Sequence, residues 1–439
     1  MPFEAPVSAP QFFAVHPKKI AVIGAGISGM GAAHRLAENN RVTLFEAGAR
    51  LGGHARTVLA GKNGDQPVDT GFIVFNYANY PHLAELFQEL AVPVVKSNMS
   101  FGASIDGGRF EYALTSLSAV FAQRRNALNP KFLRMLRDII KFNKHAVEVA
   151  AEPSLTIGEF LKKLGTGSYF RDYYLLPLSG AIWSTPIEKI MDFPAYAMIS
   201  FFENHALLNV TGQHQWYTVE GGSQSYVSRL EASMRRKGVE IRMNNAVDAV
   251  RRTHGGIEVK SKGADWEAFD EVIFATHSDD TLAMLSDADA QERAALAAIK
   301  YQPNDIILHA DVNLMPKRRV TWASWNYTED RNAASDRIDL SYWMNSLQPI
   351  PKDDPHFVTL NTKRTIREAL IYDQVTLRHP VYDLPALAAQ KQVKDLNGTK
   401  NTWFCGAWLR NGFHEDGLAS AMSVVDAIEG QAAKTIAAQ

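Results

Sequence analysis

Cysteine is almost absent from this chain of 439 residues, where Cys405 is the only one. A disulfide framework is therefore excluded, and a cytoplasmic setting fits. Cys405 itself reads as a small buried hydrophobe in the apolar run Thr402-Trp403-Phe404-Cys405. Long apolar runs are missing too: no stretch approaches the ~18 uninterrupted apolar residues of a spanning helix. Residues 1–16 lack the charged start and apolar middle of a signal peptide and read as a loose arm. Excess charge of either sign is also lacking. The 46 Lys and Arg meet 47 Asp and Glu, for a formal net charge of −1. No global field steers the chain toward nucleic acid, so a charge-driven partner must meet a local patch. No histidine–cysteine cluster has metal-ligand spacing, so no metal is expected. Gly222-Ser223-Gln224-Ser225 lacks the strand and elbow of a hydrolase nucleophile.

What is present is an ordinary globular composition, 46% hydrophobic and 21% charged. The length allows two or three domain-sized units. Ile20-Ala21-Val22-Ile23 is a short apolar run ending at a glycine, as expected of a buried parallel strand. A helix over about 28–39 and a second strand over 41–46 would complete a βαβ unit. Between strand and helix, Gly24-Ala25-Gly26-Ile27-Ser28-Gly29 has the GxGxxG spacing of a dinucleotide-binding turn. Gly24 would permit the tight turn, Gly26 would let backbone approach a pyrophosphate, and Gly29 would let helix and strand pack closely. The amides of Ile27 and Ser28 open the helix, where its dipole favours an anion. Glu46, followed by Ala47, ends the second strand. An acid there accepts hydrogen bonds from ribose hydroxyls and repels a 2′-phosphate, which disfavours NADP.

Arg50-Leu51-Gly52-Gly53-His54-Ala55-Arg56-Thr57 follows the acid directly. Its glycine pair would let the backbone approach the cofactor a second time, and Arg50 or Arg56 could offset phosphate charge. This second approach separates FAD from NAD.

Gly24 through Thr57 resembles the signature of the flavin-containing amine oxidase superfamily, which includes carotenoid desaturases and protoporphyrinogen oxidases. Asn245-Ala246-Val247 with Phe274-Ala275-Thr276 resembles the segment whose valine backbone meets adenine, together with the strand that closes the nucleotide domain. Trp403 through Gly406 and Trp408, then Glu415-Asp416-Gly417-Leu418, resemble the C-terminal block, where an acid and a helix N-terminus approach the flavin. The resemblance implies an FAD-dependent oxidoreductase. Its implied fold is α/β, a Rossmann-like FAD-binding domain interleaved with an α+β substrate domain of mixed sheet and helices. We expect residues 17–96, 215–285 and 395–439 in the first domain, and 97–214 and 286–394 in the second.

Asp69-Thr70-Gly71-Phe72, Ile182-Trp183-Ser184-Thr185, Trp322 to Tyr327 and Gly412-Phe413-His414 resemble one bacterial branch of the superfamily. That branch includes flavin enzymes that desaturate methyl-branched acyl chains on the way to furan fatty acids, encoded beside cyclopropane-fatty-acyl-type methyltransferases. It implies a lipid acyl substrate and a lipid methyltransferase as partner. A flavin amine or polyamine oxidase and a fatty-acid double-bond isomerase are the alternatives. Many amine oxidases carry a lysine that reaches flavin N5 through water; no match is found here, and Lys317 in a basic turn reads as solvated.

The catalytic residues are unknown from sequence. His54 and His414 flank the flavin blocks and are candidate proton acceptors. Trp183, Trp325, Tyr327, Trp343 and Trp408 are candidates for the walls of an apolar pocket. Over 129–147, Phe132, Met135, Leu136, Ile139, Ile140, Phe142 and Ala146 make an apolar stripe with a basic complement. Such a helix suits an anionic membrane surface, for a protein peripheral to the inner face, or else covers a core.

Overall fold

The computed structural model describes residues 17–152, 154–183, 190–208, 214–329 and 338–438. Its first large sheet is parallel, in the spatial order Glu240–Arg242, Arg41–Phe45, Lys19–Ile23, Glu271–Phe274 and Thr402–Phe404. The central strand is covered on both faces, which explains its unbroken apolar run. Ile20 and Val22 pack with the helices Ile27–Leu36, Gln224–Arg236 and His414–Ala438. Ala21 and Ile23, on the opposite face by strand alternation, pack with Ala290–Ala298 and Leu384–Leu396. Strands from distant stretches of sequence thus build this one sheet.

The second large sheet is mixed and runs in the order Ile371–Val381, Lys300–His309, Phe357–Leu360, Asp339–Trp343, Trp325–Glu329, Phe101–Ile105 and Phe110–Ala113. Its neighbours are antiparallel except Trp325–Glu329 with Phe101–Ile105. The expected α/β class with a mixed second sheet is what the chain adopts. One detail differs: the first helix stops at Leu36 rather than near residue 39.

The helix Pro130–Val149 begins where its sequence signals it. Asn129 caps it, accepting the N–H groups of Lys131 at 3.0 Å and Phe132 at 3.4 Å. Its apolar stripe, however, faces the protein. Phe132, Met135, Phe142 and Ala146 are fully buried, in a core shared with Phe160, Phe170 and Phe202. The stripe expected to suit a membrane is therefore a core face except at Ile140, which is exposed, because Ile157–Leu164 and Ala195–Asn204 cover the rest. Among the described residues, no helix is long and apolar enough to cross a membrane.

Candidate active site

The glycine loop is built for close approach. Gly24 leaves its strand at a φ of +101°, and a Cβ there would lie 2.9 Å from the Ala275 carbonyl oxygen. A Cβ on Gly29 would lie 1.8 Å from the Gly24 carbonyl oxygen. At Gly26 a Cβ would meet nothing within 4 Å. Gly26 instead borders a cavity of about 940 Å³, with Gly24, Ile27 and Ser28 beside it. The second glycine pair rests on the first. Gly26 and Gly52 form a parallel bridge, the Gly52 N–H donates to Ala25 at 2.8 Å, and Gly52 and Gly53 also border the cavity.

Neither arginine of this segment borders the cavity. The Arg50 guanidinium donates to the carbonyls of Gly53 at 2.6 Å and Ala55 at 3.0 Å and so ties the loop together. Arg56 pairs with Asp373 at 2.6 Å. Glu46 is held at the cavity wall by the N–H groups of Ala25 at 2.8 Å and Gly48 at 2.7 Å, with lone pairs left for hydroxyl donors. Ala47 is exposed beside it. Asn245 donates its N–H to the Glu46 carbonyl, which sets the 245–247 segment along this edge, while Val247 is buried outside the lining.

The last helix packs tightly on the first: a Cβ on Gly31 would lie 2.4 Å from Leu418 Cδ1, and one on Gly417 2.8 Å from Ser28 Oγ. Gly406 and His414 border the cavity, so the start of this helix also faces it. The acids do not. Glu415 accepts the N–H groups of His82 at 3.0 Å and Leu83 at 2.9 Å, capping the helix Pro81–Glu89. Asp416 accepts those of Phe413 at 3.0 Å and Asn411 at 3.2 Å. Burial raises both carboxyls above their ordinary values. Their place is at helix ends, where orphan N–H groups need acceptors. The set fits FAD nonetheless: an acid for ribose, an open glycine cradle at one helix N-terminus for pyrophosphate, and a second helix start facing the same cavity.

Three histidines gather on one part of the wall. The ring centroid of His54 lies 5.9 Å from that of His277 and 5.6 Å from that of His379. Burial lowers His54 and takes His277 and His379 down to about 3, so all three rings are neutral. His277, Asp279 and Asp280 also bring potential metal-ligand atoms within 4.8 Å of one another. Arg378 pairs with both aspartates and offsets half of their charge. His414 stacks on Phe72 at 4.0 Å, and its Nε2 lies 2.5 Å from the Tyr226 hydroxyl. Burial lowers His414 to about 3 and pushes Tyr226 far above the ordinary phenol range. Sequence reasoning did not single out His277, His379 or Tyr226. His277 directly follows the Phe274-Ala275-Thr276 block, the one local hint; the other two reach the site only through the fold.

Beyond this region the cavity is apolar, bordered by Phe101, Tyr174, Leu178, Ile182, Phe201 and Leu207. Of the aromatic candidates, Trp325 and Trp408 border the cavity, and Trp408 Nε1 donates to the Thr276 carbonyl at 3.0 Å. Tyr327 is buried outside the lining, in the core beneath the sheet. Trp343 points away and packs on Trp322, with 5.4 Å between centroids. Its place is taken by Tyr342, one residue earlier and so on the other face of the strand. The Trp183 side chain lies outside the described residues. Among the described residues no lysine borders the cavity, and Lys317 is exposed.

Solved structures superpose on this arrangement across nearly the whole chain. A fatty acid isomerase from P. acnes that produces CLA is 16% identical, with a TM-score of 0.66 over 93% of this chain and 98% of that one. A putative protoporphyrinogen oxidase from Exiguobacterium sp. 255-15 is 17% identical, with a TM-score of 0.66 over 95% and 99%. A putrescine oxidase bound to putrescine is 13% identical, with a TM-score of 0.68 over 94% and 99%. At these identities the likeness is one of fold. Protoporphyrinogen oxidase 2 of Arabidopsis thaliana is 48% identical over 50 residues, which are 11% of this chain and only 10% of that protein. The family model for flavin-containing amine oxidoreductases matches residues 27–361. The chain therefore belongs to the flavin-containing amine oxidoreductase family and is an FAD-dependent oxidoreductase.

Proposed function

We propose that the protein desaturates a fatty acyl chain, methyl-branched and carried on a phospholipid, in the apolar arm of the cavity. The observation that carries this reading is the absence of carboxylates from that arm. Among the described lining residues the only carboxylates are Glu46 and Asp280. Glu46 is held by backbone amides in the glycine loop, and Asp280 is paired with Arg378. An ammonium substrate would favour an anionic subsite, whereas an alkyl chain favours apolar walls.

Desaturation removes a hydride equivalent and a proton from adjacent carbons. Bound FAD supplies the hydride acceptor, N5 of its ring. The apolar walls would align the chain and keep water out. His414 and His54, both neutral, are the proton acceptors in this reading, with Tyr226 orienting the His414 ring. An external electron acceptor completes the turnover. A lipid methyltransferase is the class of enzyme that would supply the branched substrate, within a route to furan fatty acids at the cytoplasmic face of the membrane.

A second reading, isomerisation of a double bond in an unsaturated fatty acid, is favoured by the same apolar arm and by the likeness to the isomerase. Anaerobic mixing with holoenzyme separates the two. Lasting loss of flavin absorbance with a saturated branched phospholipid supports desaturation. A shifted double bond without lasting bleaching supports isomerisation. Bleaching by putrescine alone would overturn both.

A further inference from the structure

Thirteen large apolar side chains are exposed among the described residues, and six of them fall within 114–147: Leu114, Leu117, Leu128, Leu133, Ile140 and Val147. The spacing of the last three is seven residues, which returns a helix to nearly the same side. They form one line along the outer face of Pro130–Val149, opposite the buried Phe132, Met135 and Phe142. Arg137 and Lys144 flank this line, each four residues past one of its members, and Lys131, Arg134 and Lys141 are exposed on the same helix. Arg124 and Arg125 precede them, also exposed. Asp138, the one acid from 124 to 147, is buried and accepts the Gly167 N–H at 2.8 Å. Glu148 is exposed at the far end. The outer face therefore combines an apolar line with a surplus of cations.

This face starts beside one of the places where the cavity reaches the surface. Leu114 and Thr115 both border the cavity and are exposed, so the cavity reaches the surface there. Leu117, 79% exposed, opens the short helix Leu117–Val120. Phe121, at the end of that helix, packs on Phe132 with 5.9 Å between ring centroids. Leu133 follows Phe132, so the turn from which the outer line starts sits beside the short helix at that opening.

We propose that this surface docks on an anionic phospholipid leaflet and sets the cavity mouth at the membrane, so that the acyl chain enters from the lipid rather than from water. The apolar line dips below the headgroups while the cations meet their phosphates. The proposal rests on the acyl-chain reading of the same cavity and names the source of its substrate.

The test is flotation of holoenzyme with vesicles of phosphatidylcholine, alone or mixed with phosphatidylglycerol. Binding should require the anionic lipid and weaken as salt rises. A triple variant, Arg137→Glu with Lys141→Glu and Lys144→Glu, should lower partitioning on the order of a hundredfold. Ile140→Glu should also weaken it, and Lys391→Glu, an exposed cation elsewhere, should not. Flavin absorbance should be unchanged in all of them. Absence of binding to anionic vesicles at low salt, or equal binding to neutral ones, would overturn the proposal. So would a dimer that Ile140→Glu dissociates while no vesicle binds, since a second copy would then be the occupant. The two readings fail separately. Turnover of detergent-dispersed lipid by a protein that does not float sinks only the docking. A protein that floats but whose flavin no acyl lipid reduces sinks only the acyl reading.

Discussion

Trp325 stands directly opposite Tyr342 in an antiparallel strand pair, their ring centroids 5.5 Å apart and their planes at 85°. Both border the cavity, while Trp343 packs on its far side. Trp325→Ala or Tyr342→Ala should therefore change the preferred acyl length and raise KM by roughly tenfold, as lost apolar contact predicts. Trp343→Ala should leave KM unchanged and lower stability by about 2 kcal/mol. Kinetics over a series of chain lengths, with thermal melts of each variant, would check both. A KM effect at Trp343 without one at Tyr342 would reverse the assignment of faces.

Gly26 and Gly29 should fail in different ways. A Cβ at Gly26 enters open space, whereas one at Gly29 collides with the Gly24 carbonyl. Gly26→Glu should give a folded protein without flavin, because its charge occupies the pyrophosphate cradle. Gly29→Ala should lower the melting temperature of the apoprotein itself. The absorbance ratio of flavin to protein and the apoprotein melt distinguish the two.

The Tyr226–His414 pair gives a kinetic prediction. His414→Gln and Tyr226→Phe should retain flavin yet lower kcat by roughly 10- to 100-fold, the range of one proton-transfer group or its positioning. Burial holds His414 at about 3. Its protonation should therefore produce no inflection near the ordinary imidazole value of 6.5 in the kcat/KM profile. An inflection there that His414→Gln abolishes would contradict the buried, neutral ring.

Stability should fall in mild acid. His34 and His309 are fully buried, and burial lowers both from 6.5 to about 4. For a base with a depressed folded value, the unfolded chain takes up the proton first. The contribution is thus complete above 6.5 and is lost between 6.5 and about 4. At about pH 5 each ring costs about 2 kcal/mol. His309 accepts the Asp311 N–H at 3.1 Å on Nδ1, so its Nε2 carries the proton toward Thr359 Oγ1 at 2.8 Å. His309→Gln should lower the melting temperature at neutral pH but flatten its decline toward pH 5. An unchanged slope would place the acid sensitivity elsewhere.

The sequence by itself determined the βαβ unit, the flavin class of cofactor and the α/β class of fold. In Gly24 through Thr57, the turn glycines, the acid and the second glycine pair lie close together in sequence, and each has its own local reason. Local chemistry also marked the Asn129 cap and the helix behind it. Tertiary structure alone decided what covers each face. Amphipathicity showed that Pro130–Val149 has a covered side, but only Phe160, Phe170 and Phe202 reveal that protein covers it. The sequence offered Trp343 as a wall residue, but the placement of the sheet put Tyr342, on the other face of the strand, in the cavity. The strand Ile371–Val381 escaped sequence reading because its residues are mostly half-buried and carry no clean alternation of apolar and polar. That strand carries His379 to His54, from a part of the chain that no local pattern connects to it. Contacts of this kind depend on chain packing across large sequence separations, which short-range periodicity does not encode.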